Sequence, residues 1–109
     1  MDYAKQIVDA GDILAQATKD EMTLEDMRAN IKFAAIERIM HSGDNPLTGK
    51  PHSASSAEAV VNLDPEYAAY LTQLRDAVAR KIRARAQFEA ALVAARLKIE
   101  ENFEEANVV

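Results

Sequence analysis

Apolar residues return at steps of three and four over most of the chain. Tyr3, Ile7, Ala10, Leu14 and Ala17 fall on one face at about 100° per residue, and this spacing predicts a first helix from about Asp2 to Lys19. Gly11 sits inside it and weakens it by up to about 1 kcal/mol relative to Ala. A second helix is expected to begin at Thr23, a hydroxyl N-cap with Asp26 three residues on, and to end near Ser42–Gly43. It carries two apolar stripes: Leu24, Met27, Ile31, Ala34 and Ala35 on one side, Ala29, Phe33, Ile36 and Met40 on the other. Residues 43–56 hold two of the three Gly and two of the three Pro, so they read as a loop, with 43–53 expected to lack secondary structure of their own. A short helical turn over Ala57–Val61, capped by Ser55 or Ser56, is expected next. Asp64 followed by Pro65 then reads as N-cap and first-turn proline, opening a last helix that meets no Gly or Pro before about Glu105.

This pattern predicts an all-α fold: an antiparallel helical hairpin or bundle, with two shorter N-terminal helices and one long C-terminal helix in a single domain of residues 1–109. Forty helical residues make a rod of about 60 Å, whereas helices of about 18 residues are only about 27 Å long. Either helices one and four cover both stripes of helix two, or a second subunit does. We expect a coiled-coil-like homo-oligomer, a dimer or higher, with Phe33, Ile36, Met40, Phe88, Leu92 and Ile99 at its interface. Along the last helix, Tyr67, Leu71, Leu74, Val78, Ile82, Leu92, Val93, Ile99 and Phe103 form a stripe interrupted by Arg85, Glu89 and Arg96. Those ions are either solvated or set the register of a helix–helix seam.

Composition narrows the picture. The chain has 109 residues with 13 Lys+Arg against 18 Asp+Glu, a net charge of −5, and no Cys, which excludes a disulfide scaffold and a Cys-ligated zinc site. No apolar run approaches the roughly 18 residues of a membrane span. Residues 1–5 lack the basic and apolar regions of a signal peptide, so the expected compartment is the cytoplasm.

Candidate chemistry is sparse. Gly43, Gly49 and Lys50 suggest a phosphate loop, but the glycines are one residue too far apart for a Walker A motif, and Pro51 stands where a hydroxyl would hold Mg²⁺. A simpler anion or partner contact by Lys50, His52 and Ser53 remains open. His41, His52 and Asp44 match no compact metal-ligand spacing, so no metal and no cofactor are expected. Without a nucleophile elbow or a framed carboxylate pair, an enzyme is not expected either. Arg75, Arg80, Lys81, Arg83 and Arg85 against Asp76 give 5 − 1 = +4 within eleven residues. This segment either binds nucleic-acid phosphate or pairs with Asp9, Asp12, Asp20 and Glu21 of helix one. Glu100, Glu101, Glu104 and Glu105 form an acidic end.

The run Thr48-Gly49-Lys50-Pro51-His52-Ser53-Ala54-Ser55-Ser56-Ala57-Glu58, then Asp64-Pro65-Glu66-Tyr67 and an Ala/Arg/Glu-rich helix, resembles small accessory proteins of bacteriophages and prophages over about residues 44–97. The resemblance implies a non-enzymatic protein that supports DNA recombination or interferes with a host system, and it brings no catalytic residues. Together these readings predict a helical binding protein acting through protein contacts. The alternatives are a nucleic-acid accessory factor using Arg75–Arg85 and a sequestering binder of a phosphorylated small molecule.

Overall fold

The computed structural model describes residues 2–107 and is all-α. Its elements are α1 (Tyr3–Asp26), α2 (Arg28–His41), β1 (Asp44–Asn45), β2 (Lys50–Pro51), α3 (Ala54–Ala59), a 3-10 turn (Val61–Leu63) and α4 (Pro65–Asn107). Packing divides the described residues into two units. One joins the chain through Glu21 to the chain from Ala77 on, and the other is Met22–Asp76.

The first, the hairpin unit, is a pair of antiparallel helical segments. The Asp2 carboxylate accepts from the Lys5 amide at 2.9 Å and caps α1. Tyr3, Ile7, Ala10, Leu14, Ala17 and Glu21 are among the half-buried or buried positions of α1, and in α4 the matching row is Ala77, Lys81, Ala84, Phe88, Ala91, Ala95 and Lys98. Both rows step by four and three, the repeat of a coiled-coil seam. Two contacts set the direction: Gly11 lies against the Phe88 ring, and Glu21 forms an ion pair with Lys81. Alanine recurs every seventh residue, at 10 and 17 and again at 77, 84 and 91, leaving room for the two helices to approach closely.

The second, the aromatic unit, is built on Ala35, Val61, Tyr67, Tyr70 and Leu74, with Leu24, Ile31, Ile36, Ile39 and Leu71 packed around them. Tyr67 and Tyr70 stack with ring centroids 6.1 Å apart. Asp64 caps α4 as its sequence predicts, accepting from the Tyr67 amide at 2.9 Å. The same carboxylate takes a two-pronged hydrogen bond from Arg38 of α2, at 3.2 and 2.7 Å. That guanidinium, more than any other cause, holds Asp64 below the usual carboxylate pKa range, against the opposing effect of burial.

Three boundaries differ from the sequence expectation. Helix one does not stop at Lys19, and Thr23 does not open helix two: α1 runs through both to Asp26. The helix is interrupted at Met27, whose amide donates to Leu24 O at 3.2 Å, three residues back. The cause lies far away in sequence, since the Tyr70 hydroxyl donates to the same Leu24 carbonyl, the acceptor an unbroken helix would offer to Arg28. Burial raises the Tyr70 pKa, with the Glu25 charge adding to it, so this hydroxyl stays protonated as the bond requires.

Residues 43–53 are not structureless. Asp44 pairs with Pro51 and Asn45 with Lys50 in a two-residue antiparallel ladder. The Asn45 side chain accepts from the Leu47 amide at 3.0 Å, and Gly49 takes a left-handed φ of 66° while donating to Asn45 O at 2.8 Å. Asn-Pro-x-x-Gly thus codes a tight hairpin turn rather than a break. Finally, the cap of α3 is Ser53, not Ser55 or Ser56: its hydroxyl accepts from the Ser56 amide at 3.2 Å, which moves the helix to Ala54–Ala59.

Candidate interaction surface

The seven-residue repeat of the hairpin unit gives its two flanks different chemistry. Positions one before each seam residue line a single open groove: Ile13, Gln16 and Asp20 from α1, with Arg80, Arg83 and Gln87 from α4. That both helices contribute the same offset to one groove follows from their antiparallel pairing. Positions one after each seam residue therefore make the opposite flank. On α1 these include Ala4, Val8 and Ala15; on α4 they are Val78, Ile82, Arg85, Glu89, Leu92, Arg96, Ile99 and Phe103. The groove flank is mixed and charged. The second flank alternates apolar and charged residues: Val8, Ile82, Ile99 and Phe103 are each at least 60% exposed and Leu92 39% exposed, with Arg85, Glu89 and Arg96 between them.

The structure separates the residues singled out by sequence. Ile36 contributes to packing of the aromatic unit's own core, and the Phe88 ring lies in the seam beside Gly11. Phe33 stays 61% exposed on α2, and Met40 is half-buried. Leu92 and Ile99 lie in the exposed row of α4.

The basic segment is divided too. Four residues spread over six helical positions point around the cylinder rather than along it. Arg80 and Arg83 rim the groove flank, Lys81 is spent on Glu21 inside the seam, and Arg85 lies on the apolar flank. Glu21 and Lys81 thus form an ion pair within the hairpin seam, whereas Arg85, Glu89 and Arg96 are exposed beside it. Arg75, on the aromatic unit, is exposed.

In the hairpin-turn segment, Ser53 is occupied as the cap of α3, and the His52 ring meets the Ser56 hydroxyl at 3.1 Å. Lys50 is exposed. Leu47, at the tip of the turn, is almost fully exposed. Among the described residues no group of His, Asp and Glu is arranged to hold a metal ion, and no helix is long and apolar enough to cross a membrane.

The exposed row was legible only in part. Its α4 half overlaps the later part of the stripe read from sequence, whose Tyr67, Leu71 and Leu74 instead pack in the aromatic unit, and Val8 and its α1 neighbours carry too weak a pattern to stand out until the buried seam next to them is known. No family model, curated protein or solved structure matches the chain.

Proposed function

We propose that this chain is a non-enzymatic helical binding protein of the cytoplasm, working through protein–protein contacts as the phage-type accessory proteins it resembles would. The observation that carries this reading is the exposed second row of the hairpin unit. A helix pair needs one buried seam to hold together, and beside it this pair exposes Ile82, Leu92 and Ile99, interleaved with Arg85, Glu89 and Arg96. Exposed apolar residues alternating with Arg85, Glu89 and Arg96 along one helix face have the make-up of a helix–helix seam whose ions choose the register. The nucleic-acid alternative draws less support, because its cations form no stripe for a phosphate backbone to follow.

Photo-cross-linking in the native cell tests the reading. A photoreactive residue replacing Ile99 should give polypeptide adducts, and one replacing Gln16 on the groove flank should give few. Equal yields at both sites, or adducts to nucleic acid from Arg83 and none to protein from Ile99, would overturn it.

A further inference from the structure

We infer that the occupant of this apolar row is a second copy of the same chain, its α4 antiparallel to the first about a two-fold axis between Leu92 and Val93. The inference rests on the reading of that row as a protein-binding face. What points to a second copy is the order of charges. An axis between positions 92 and 93 places each residue opposite the one whose number completes 92 + 93 = 185. Arg85 then faces Glu100, Glu89 faces Arg96, Ile82 faces Phe103, Ala86 faces Ile99 and Leu92 faces Val93. The three ions of the row each meet an opposite charge, and Ile82, Leu92, Ile99 and Phe103 each meet an apolar residue.

The neighbouring arrangements fail. Sliding by one helical turn in one direction sets Arg85 against Arg96; in the other it sets Glu89 against Glu100. A parallel pair would set Arg85, Glu89 and Arg96 each against its own copy. The self-complementary register therefore selects one geometry, and an isologous contact of this kind closes as a dimer. From Ile82 to Phe103 the contact is about 32 Å long at 1.5 Å per residue. On a face two helices wide, about 20 Å, this is roughly 600 Å² per copy, at the lower edge of stable interfaces, whose total is about 1,200 Å². The ion pairs fix register and the apolar row supplies the driving force.

Exposed charges allow a test that leaves the fold intact, to be verified by unchanged circular dichroism. By light scattering, the wild-type chain should have twice its 12.0 kDa mass. Glu89→Arg and Arg96→Glu should each weaken the dimer at least about tenfold, since each places like charges in opposition. An equimolar mixture of the two variants should regain the dimer, because Glu89→Arg of one copy then faces Arg96→Glu of the other, and the two unchanged residues face each other likewise. The double variant should regain it as well. Single variants as dimeric as wild type, or a mixture that stays monomeric, would overturn the inference. A wild-type monomer whose position-99 cross-links join it to a different protein would refute the second copy and leave the protein-binding reading standing. A monomer without protein cross-links would refute both.

Discussion

The two units are held by different physics, though α1 and α4 contribute to each. The aromatic unit relies on particular side chains meeting once: Tyr67 on Tyr70, the Tyr70 hydroxyl on Leu24 O, the Arg38 fork on Asp64. The hairpin unit relies on repetition, a row of small residues every seventh position and one ion pair, Glu21–Lys81. A repeating seam tolerates change at one position but has several near-equivalent registers, so it needs a device to choose among them. A single core of large side chains chooses its own arrangement and is correspondingly easy to damage.

Leu74 is 6% exposed in the aromatic core, and Leu74→Ala should cost about 2–4 kcal/mol through lost transfer energy and the cavity left behind. Urea unfolding followed by circular dichroism measures it, and a loss under about 1 kcal/mol would show that this core is looser than its burial implies. In the hairpin seam, Lys81→Met alone strands the half-buried Glu21 carboxylate and should cost about 1–3 kcal/mol. Glu21→Leu with Lys81→Met should recover most of that loss, as buried pairs often can be replaced by apolar residues. If the pair sets register, the double variant should nevertheless show broadened or doubled amide resonances. A double variant with one sharp set of resonances would assign the register to packing alone.

Asp64→Ala removes both the cap of α4 and the acceptor for Arg38, and a lost cap costs about 1 kcal/mol. The carboxylate also gives the aromatic unit an acid sensitivity. Because its folded pKa lies below the unfolded value of about 4, its contribution is complete above that value and is lost as the pH falls below it. The wild-type melting temperature should therefore drop more steeply below about pH 4 than that of Asp64→Asn, and parallel curves would contradict this. The smallest effect expected is a gain. A Cβ at Gly11 would meet the Phe88 ring at 3.4 Å, ordinary contact, so Gly11→Ala should stabilise the hairpin unit by up to about 1 kcal/mol. Destabilisation would mean that Phe88 cannot yield.

The same contrast explains what the sequence disclosed. The all-α class, the Asp64–Pro65 start of α4 and the α1 seam follow from short-range periodicity and capping chemistry, which neighbouring residues determine. The break at Met27 was not legible, because it depends on a hydroxyl 46 residues beyond Leu24 in sequence. The hairpin turn at Asn45–Gly49 was legible in principle, but two Pro and two Gly in one stretch resemble a simple break until the Asn side chain's local bond is considered. Of the candidate surface, the α4 stripe with Arg85, Glu89 and Arg96 was readable. The ion pair inside the hairpin is Glu21–Lys81, which only the pairing of α1 with α4 reveals.

The central claim, that the apolar flank of the hairpin unit joins two copies in antiparallel register, is tested most directly by distances between copies. The chain has no Cys, so single spin labels at Val93→Cys and, separately, Glu104→Cys report intermolecular distances alone. With the axis between residues 92 and 93, the labels at 93 should lie within about 20 Å of each other and those at 104 about 35 Å apart along the helices. Equal short distances at both sites, or no dipolar coupling at either, would contradict the account.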